Sequence, residues 1–182
     1  MVKHGFVKEK RKFECALWSD VREMEKSLVI DASKCTGCHL CEMACSYHHE
    51  GIFNPSRSRI KIFKFEYEGR NVPFVCTQCA EAWCMQACPV DAISIDSKTG
   101  AKVVSETLCV GCKVCTIACP FGTINYNTVT TKVDKCDLCD GDPACVHACP
   151  TPALSYIDAE QTGVAKMRFW AEKTDLGNRV NT

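Results

Sequence analysis

No stretch of this sequence approaches the run of about eighteen apolar residues that marks a membrane-spanning helix, so no membrane span is expected. The N-terminal residues M-V-K-H-G-F-V-K-E-K-R-K-F are basic. They are not followed by the roughly 7–15-residue apolar stretch of a secretory signal, and no twin-arginine pair stands there. The cytoplasm is the expected compartment, with export beside a signal-bearing partner left open. Net charge is also lacking, since 22 Lys and Arg balance 22 Asp and Glu. Without an excess of basic residues a nucleic-acid partner is not expected. There is no G-x-G-x-x-G and no Walker A run, so no nucleotide site is read.

What the chain has in quantity is cysteine: 17 of its 182 residues. The number is odd and the spacings are short-range quartets, neither of which suits a disulfide framework. The apolar fraction of 46% includes these cysteines, so the remaining Leu, Ile, Val, Phe and Met make a thin core. Small chains short of core rely on staples such as metals. The metal-free chain is therefore expected to be largely unfolded, because metal binding and folding are coupled.

The most regular quartet is Cys109, Cys112, Cys115 and Cys119, followed by Pro120, in the run C-V-G-C-K-V-C-T-I-A-C-P. This is the C-x2-C-x2-C-x3-C-P spacing of bacterial ferredoxins. Three thiolates fall within one tight loop, close enough to hold three corners of a cubane cluster. The fourth begins the turn after a short helix and points away, toward a neighbouring cluster. Three more quartets accompany it: Cys35, Cys38, Cys41, Cys45; Cys76, Cys79, Cys84, Cys88; and Cys136, Cys139, Cys145, Cys149. Pro89 and Pro150 follow the last two, whereas Ser46 follows the first. Soft thiolates suit iron–sulfur clusters, and complete quartets argue for four-iron clusters, four in number. A four-cysteine zinc site would use a pair of C-x2-C motifs. It leaves the third and fourth Cys of each unit and the C-P dipeptides unexplained, and stays most open at the last quartet. The C-x3-C-x2-C order of radical enzymes is absent. An electron-transfer protein without catalysis of its own is expected.

Around the quartets the pattern repeats: strand, Cys-loop, short helix, fourth Cys, strand. Strands are expected at Leu28–Asp31, Ile60–Phe65, Val72–Val75, Ala92–Asp96, Lys102–Val104, Thr123–Tyr126 and Ala153–Ile157, with 60–75 a β-hairpin. Phe13, Leu17, Val21 and Met24 recur at helical spacing over about 13–26. The expected class is α+β: two fused ferredoxin-like dicluster domains, with short strands and helices around four 4Fe-4S clusters. Units two and three are joined directly by the 92–104 hairpin and are paired as an inner domain, 76–126. Units one and four then form an outer domain from 28–59 and 127–157, flanked by an N-terminal extension (1–27), the 60–75 insertion and a C-terminal tail (158–182). Crossed ligation gives four sets: Cys76, Cys79, Cys84 with Cys119; Cys109, Cys112, Cys115 with Cys88; Cys35, Cys38, Cys41 with Cys149; and Cys136, Cys139, Cys145 with Cys45. Pairing unit one with two and three with four remains the alternative. No catalytic residue is expected.

Several other residues draw notice. Cys15 lies alone and reads as an inert thiol. His39, His48, His49 and His147 sit near the quartets as hydrogen-bonding or surface groups. Lys34, Lys113, Lys132 and Lys135 flank the Cys-loops, where a solvated face is the default. Trp83 reads as a shield over the second quartet.

The four-quartet layout over roughly 28–157 resembles the iron–sulfur subunits of molybdenum and tungsten pterin oxidoreductases. The stretch C-S-Y-H-H-E-G-I-F-N-P-S-R-S-R-I (Cys45–Ile60) resembles the small polyferredoxin subunits that accompany tungsten enzymes of the aldehyde oxidoreductase family, aldehyde oxidoreductases and tungsten benzoyl-CoA reductases among them. The resemblance implies anaerobic metabolism and a large tungsten (or molybdenum) pterin catalytic subunit as partner. A flavin/NAD-reducing subunit or a ferredoxin would take the other end of the relay. The membrane-linked relatives carry a C-terminal anchor helix that is not read here. Competing readings are a free-standing polyferredoxin and a self-assembling conductor joined through the terminal segments.

Overall fold

The computed structural model of the protein describes residues 26–159, 161–164, 167–168 and 171. Cys15 and the helix expected over 13–26 lie outside the described residues, except that Lys26, the last position of that helix, opens a strand. The elements run β1 (Lys26–Ile30), α1 (Leu40–Glu50), β2 (Lys61–Phe65), β3 (Arg70–Phe74), α2 (Trp83–Gln86), β4 (Ile93–Ile95), β5 (Lys102–Val104), α3 (Val114–Ala118), β6 (Asn125–Asn127), β7 (Lys132–Asp134), α4 (Ala144–His147) and β8 (Leu154–Asp158).

Each helix begins within a Cys-loop and carries its third cysteine: Cys41, Cys84, Cys115 and Cys145. The short helices end because Cys88, Cys119 and Cys149 are each followed by proline, which supplies no N–H and pushes the residue before it out of helical geometry. Ser46 stands where that proline would be in the first unit, so α1 continues for 11 residues to Glu50. It stops at Gly51, which takes a left-handed φ of 68° and donates its N–H to the Tyr47 carbonyl at 2.8 Å.

Among the described residues every strand is paired antiparallel in a two-stranded sheet: β1 with β8, β2 with β3, β4 with β5, and β6 with β7. Three of these are local hairpins. The fourth joins the first strand to the last, with Leu28 opposite Tyr156 and Ile30 opposite Leu154. Helix α1 packs on α4, and α2 on α3. Pro73 is tolerated in β3 because a two-stranded ribbon leaves one edge without ladder bonds. Strand β7 was not expected; it carries one buried apolar residue, Val133, and its partner β6 is only as long. The tail past β8 is helical at 159 and 161–164.

The core is thin and rich in sulfur. One cluster gathers Cys41, Cys45, Ile60, Val75, Ala101, Cys136, Leu138, Cys145 and Leu154; a second gathers Ile93, Cys115, Ile124 and Val133. Among the described residues no aromatic ring is fully buried. None of their helices is long and apolar enough to cross a membrane.

The turn inside each C-x2-C repeats a feature that the spacing alone did not reveal. The second intervening residue takes a left-handed φ in all four: Gly37 (68°), Gln78 (51°), Gly111 (70°) and Leu138 (62°). Leu138 offsets the strain by burying its side chain, 3% exposed. Gln78 does so by bonding: its Nε2 donates to the Cys136 carbonyl at 2.7 Å, and its Oε1 accepts from Lys102 N–H at 2.9 Å. Gly111 has no such freedom, because a Cβ there would lie 2.1 Å from the Thr131 carbonyl oxygen. Gly111→Ala is therefore expected to lower iron content and thermal stability sharply, beyond the roughly 1–2 kcal/mol of left-handed backbone alone. Gly122→Ala, with φ of 63° and nothing within 4 Å, is the control and should show only the backbone cost. Calorimetry and iron assay of the two proteins make the comparison.

Candidate metal centres

The fold brings thiols from different loops together. One recess is lined by Cys76, Cys79 and Cys84 of the second unit and by Cys119 of the third. A second is lined by Cys109, Cys112 and Cys115 with Cys88. In the outer part of the molecule Cys145 feels the charges of Cys136, Cys45, Cys139 and Cys41, so Cys45 of the first unit stands with the loop of the fourth. Cys41 lies with Cys38 and Cys35 of its own loop. Neighbouring groups also meet: Cys136 is within electrostatic reach of Cys76.

Hydrogen bonds reach the sulfurs of the fourth cysteines. The Arg59 N–H donates to Cys45 Sγ at 3.3 Å, and the Ala92 N–H to Cys88 Sγ at 3.3 Å. The Thr123 hydroxyl lies 3.5 Å from Cys119 Sγ. Burial opposes ionisation of Cys119 and Cys149, yet the Thr123 and Thr151 hydroxyls with nearby backbone N–H groups bring both thiols below the usual range. Cys41, Cys115, Cys136, Cys139 and Cys145, within the loops, behave oppositely. Burial pushes Cys41 and Cys136 up to about 12, and Cys115 and Cys139 up to about 11. Cys145 is raised further by burial and the surrounding thiols. Such thiols stay protonated at neutral pH unless a metal takes the proton's place. All-sulfur surroundings, N–H groups aimed at the sulfurs and an apolar wall are what an iron–sulfur cluster requires.

Other groups close the outer sites. His49 Nε2 lies 3.7 Å from Cys139 Sγ and 3.6 Å from Asp137 Oδ1. Burial, with Arg59 nearby, holds its ring near a pKa of about 4 and so neutral. Asp137 also accepts from Arg59 at 2.5 Å and from the Cys139 N–H at 3.0 Å. The Cys45–Ile60 stretch thus wraps the fourth Cys-loop, with Ser46 and Ser58 fully buried as internal ties. His48, His49 and Cys139 together could contact a lone ion, but Cys139 belongs to the fourth quartet. His39 bonds Glu42, and His147 bonds Asp142; neither reaches a sulfur in these bonds. Trp83 lines the first recess but is 62% exposed, which makes it a rim more than a shield. Of the flanking lysines, exposed Lys34 pairs with half-buried Asp31, Lys113 lies 3.8 Å over the Tyr126 ring, and Lys132 reaches the Glu106 carbonyl. Lys135 departs from expectation and is buried.

A family described as "4Fe-4S dicluster domain" matches residues 68–159, half of the chain, and a "4Fe-4S binding domain" matches 26–47. The chain belongs to the 4Fe-4S dicluster family. Similar proteins include the polyferredoxin-like subunit of aliphatic sulfonate oxidoreductase from Pyrococcus furiosus, 46% identical over 116 residues, 64% of this chain and 66% of that one. YsaA of Escherichia coli, named as an electron transport protein, is 41% identical over 157 residues, 80% of this chain and 98% of its own. Formate hydrogenlyase subunit 2 of Escherichia coli is 41% identical over 105 residues, 57% of this chain and 49% of that subunit. The chain thus spans about two thirds of the first relative and half of the third. Among solved structures, the active site complex BamBC of benzoyl coenzyme A reductase with benzoyl-CoA aligns at a TM-score of 0.45 and 24% identity, over 86% of this chain and 97% of that one. This dicluster protein is an iron–sulfur electron-transfer protein that uses 4Fe-4S clusters.

Proposed function

We propose that the protein is the non-catalytic relay subunit of a larger oxidoreductase and holds four 4Fe-4S clusters in a row. The ligand sets are Cys109, Cys112, Cys115 with Cys88; Cys76, Cys79, Cys84 with Cys119; Cys136, Cys139, Cys145 with Cys45; and Cys35, Cys38, Cys41 with Cys149. Each cluster, when bound, takes up and gives back a single electron. The reading rests above all on the succession of thiol groups, in which each meets the next: the α2–α3 contact joins the first two sets, Cys76 and Cys136 the second and third, and Cys145 and Cys41 the third and fourth. The chain's own residues space the sulfurs, keep water from the buried thiols and direct N–H groups at them. Two ferredoxin-like domains follow from this pairing: 76–126 as the inner, 28–59 with 127–157 as the outer.

The catalytic partner is a large tungsten (or molybdenum) pterin subunit, with a flavin/NAD-reducing subunit or a ferredoxin at the far end. The relative named as the polyferredoxin-like subunit of aliphatic sulfonate oxidoreductase supports an oxidoreductase complex. Short-range Cys quartets, kept reduced for metal, support a cytoplasmic setting. Anaerobic purification from the native cells tests the whole reading. About sixteen irons per chain, with tungsten and a large bound subunit, is the expected result. Iron without tungsten or a partner would favour the free-standing polyferredoxin. A ladder of oligomers that disappears when residues 1–25 are deleted would favour the self-assembling conductor.

A further inference from the structure

Lys135 is only 3% exposed, between β7 and the fourth Cys-loop. Its ammonium donates to the Lys102 carbonyl, to the Cys136 carbonyl at 3.0 Å and to Gln78 Oε1 at 3.4 Å. All three acceptors are uncharged. Among the described residues no carboxylate forms an ion pair with it. A buried charge is costly to desolvate and is ordinarily paired with an opposite charge. The polypeptide supplies that opposite charge in another form, because Lys135 lines the recess of Cys76, Cys79, Cys84 and Cys119. Four thiolates outweigh the positive charge of a cubane core, so a loaded centre there is anionic. Consistent with this, burial raises the Cys84 thiol while the Lys135 charge acts in the opposite sense. The bond to the Cys136 carbonyl puts the same ammonium beside the first residue of the next set.

We propose that Lys135 is the fixed counter-charge of the centre held by Cys76, Cys79, Cys84 and Cys119, and that it raises the reduction potential of that centre above what the thiolate set alone would give. The inference rests on the ligand sets of the proposed function. Its physics is electrostatic: reduction adds one electron and moves no proton, and a nearby cation in a low-dielectric pocket stabilises the added charge. Lys135 acts through the centre's potential and is a positioning residue for charge, without chemistry of its own.

The test is a redox titration of the full-length chain reconstituted with iron and sulfide, followed by electron paramagnetic resonance. Lys135→Met keeps the length and removes the charge; Lys135→Gln keeps donors and removes the charge. Both should retain full iron, and one spectral component should shift to lower potential in both. The expected size is a tenfold change in its oxidised-to-reduced ratio at fixed potential, about 59 mV for one electron. Cys84→Ala should delete that same component. Unmoved midpoints with full iron would overturn the proposal. So would a wild-type midpoint in Lys135→Gln, since hydrogen bonding and not charge would then matter. Loss of iron from both lysine variants would also overturn it, by making the residue a structural tie. If the shifted component is not the one Cys84→Ala deletes, the counter-charge assignment fails while the four-cluster reading stands. If the wild-type chain shows no cluster signal, the four-cluster reading itself fails, and the counter-charge falls with it.

Discussion

A Cys119→Ala protein should lose about four irons, and the signal that vanishes should be the one that Cys84→Ala also removes. It should not be the signal removed by Cys109→Ala, even though Cys109 and Cys119 share a loop-and-helix unit. The reason is geometric. Cys119 sits after α3, where Pro120 turns the chain, and its sulfur lines the recess of Cys76, Cys79 and Cys84. Cys88 does the reverse and lines the recess of Cys109, Cys112 and Cys115. The four alanine variants should therefore sort into two pairs by spectrum, Cys119 with Cys84 and Cys88 with Cys109. Iron analysis with electron paramagnetic resonance of each variant gives the answer. Pairing within each loop would show that the fourth thiol turns back to its own unit and would remove the basis for a row of centres.

Stripping the iron with a chelator under reducing conditions should unfold the chain, at the cost of the whole folding free energy, about 5–15 kcal/mol for a domain. The named core explains why. Cys41, Cys45, Cys115, Cys136 and Cys145 are buried core members in their own right, and among the described residues no aromatic ring is buried to replace them. Strands of three residues, such as β4–β7, hold no stable sheet alone. Far-ultraviolet circular dichroism before and after chelation makes the measurement, and a metal-free chain with native ellipticity and a cooperative melt would contradict it. Any metal-free fold has a predictable pH response. Buried Cys41 and Cys136 have thiols raised from 9.0 to about 12, so the folded form holds its protons longer than the unfolded form. A metal-free chain that kept this fold would therefore lose stability as pH rises from about 9 toward 12 and be unaffected by these groups below that window.

The parts of this molecule that could be read from sequence are those with a spacing rule. The Cys-loops announce themselves, and Ile93-Ser94-Ile95 and Lys102-Val103-Val104 read as strands because a turn separates two β-branched runs. Strand β7 escaped because Lys132-Val133-Asp134 has one inward residue and no alternation to detect. The left-handed turns at Gln78 and Leu138 escaped because neither residue type signals positive φ. What permits them is a hydrogen-bond set and a buried contact supplied by distant segments. Nothing in the sequence around Lys135 marks it as buried, since lysines are usually exposed. Only the meeting of the second and fourth Cys-loops, fifty-odd residues apart in sequence, seals it from water. Arg59 and His49 could have been suspected from the S-R-I and H-H-E runs, but their targets, Asp137 and Cys139, come from the opposite end of the chain.

The pairing of β1 with β8 carries a consequence for biosynthesis. Ile30 cannot meet Leu154 until the 123 residues between them have been made and the fourth unit has left the ribosome. At about 5–20 residues per second, the thiols of Cys35, Cys38 and Cys41 wait several seconds or more without the strand that closes their half of the molecule. The second and third units, joined by their own hairpin, can complete first. Maturation then proceeds from the second and third units outward, and the cysteines of the first quartet, though made before those units, are among the last of the sixteen to be protected from oxygen and from the wrong metal.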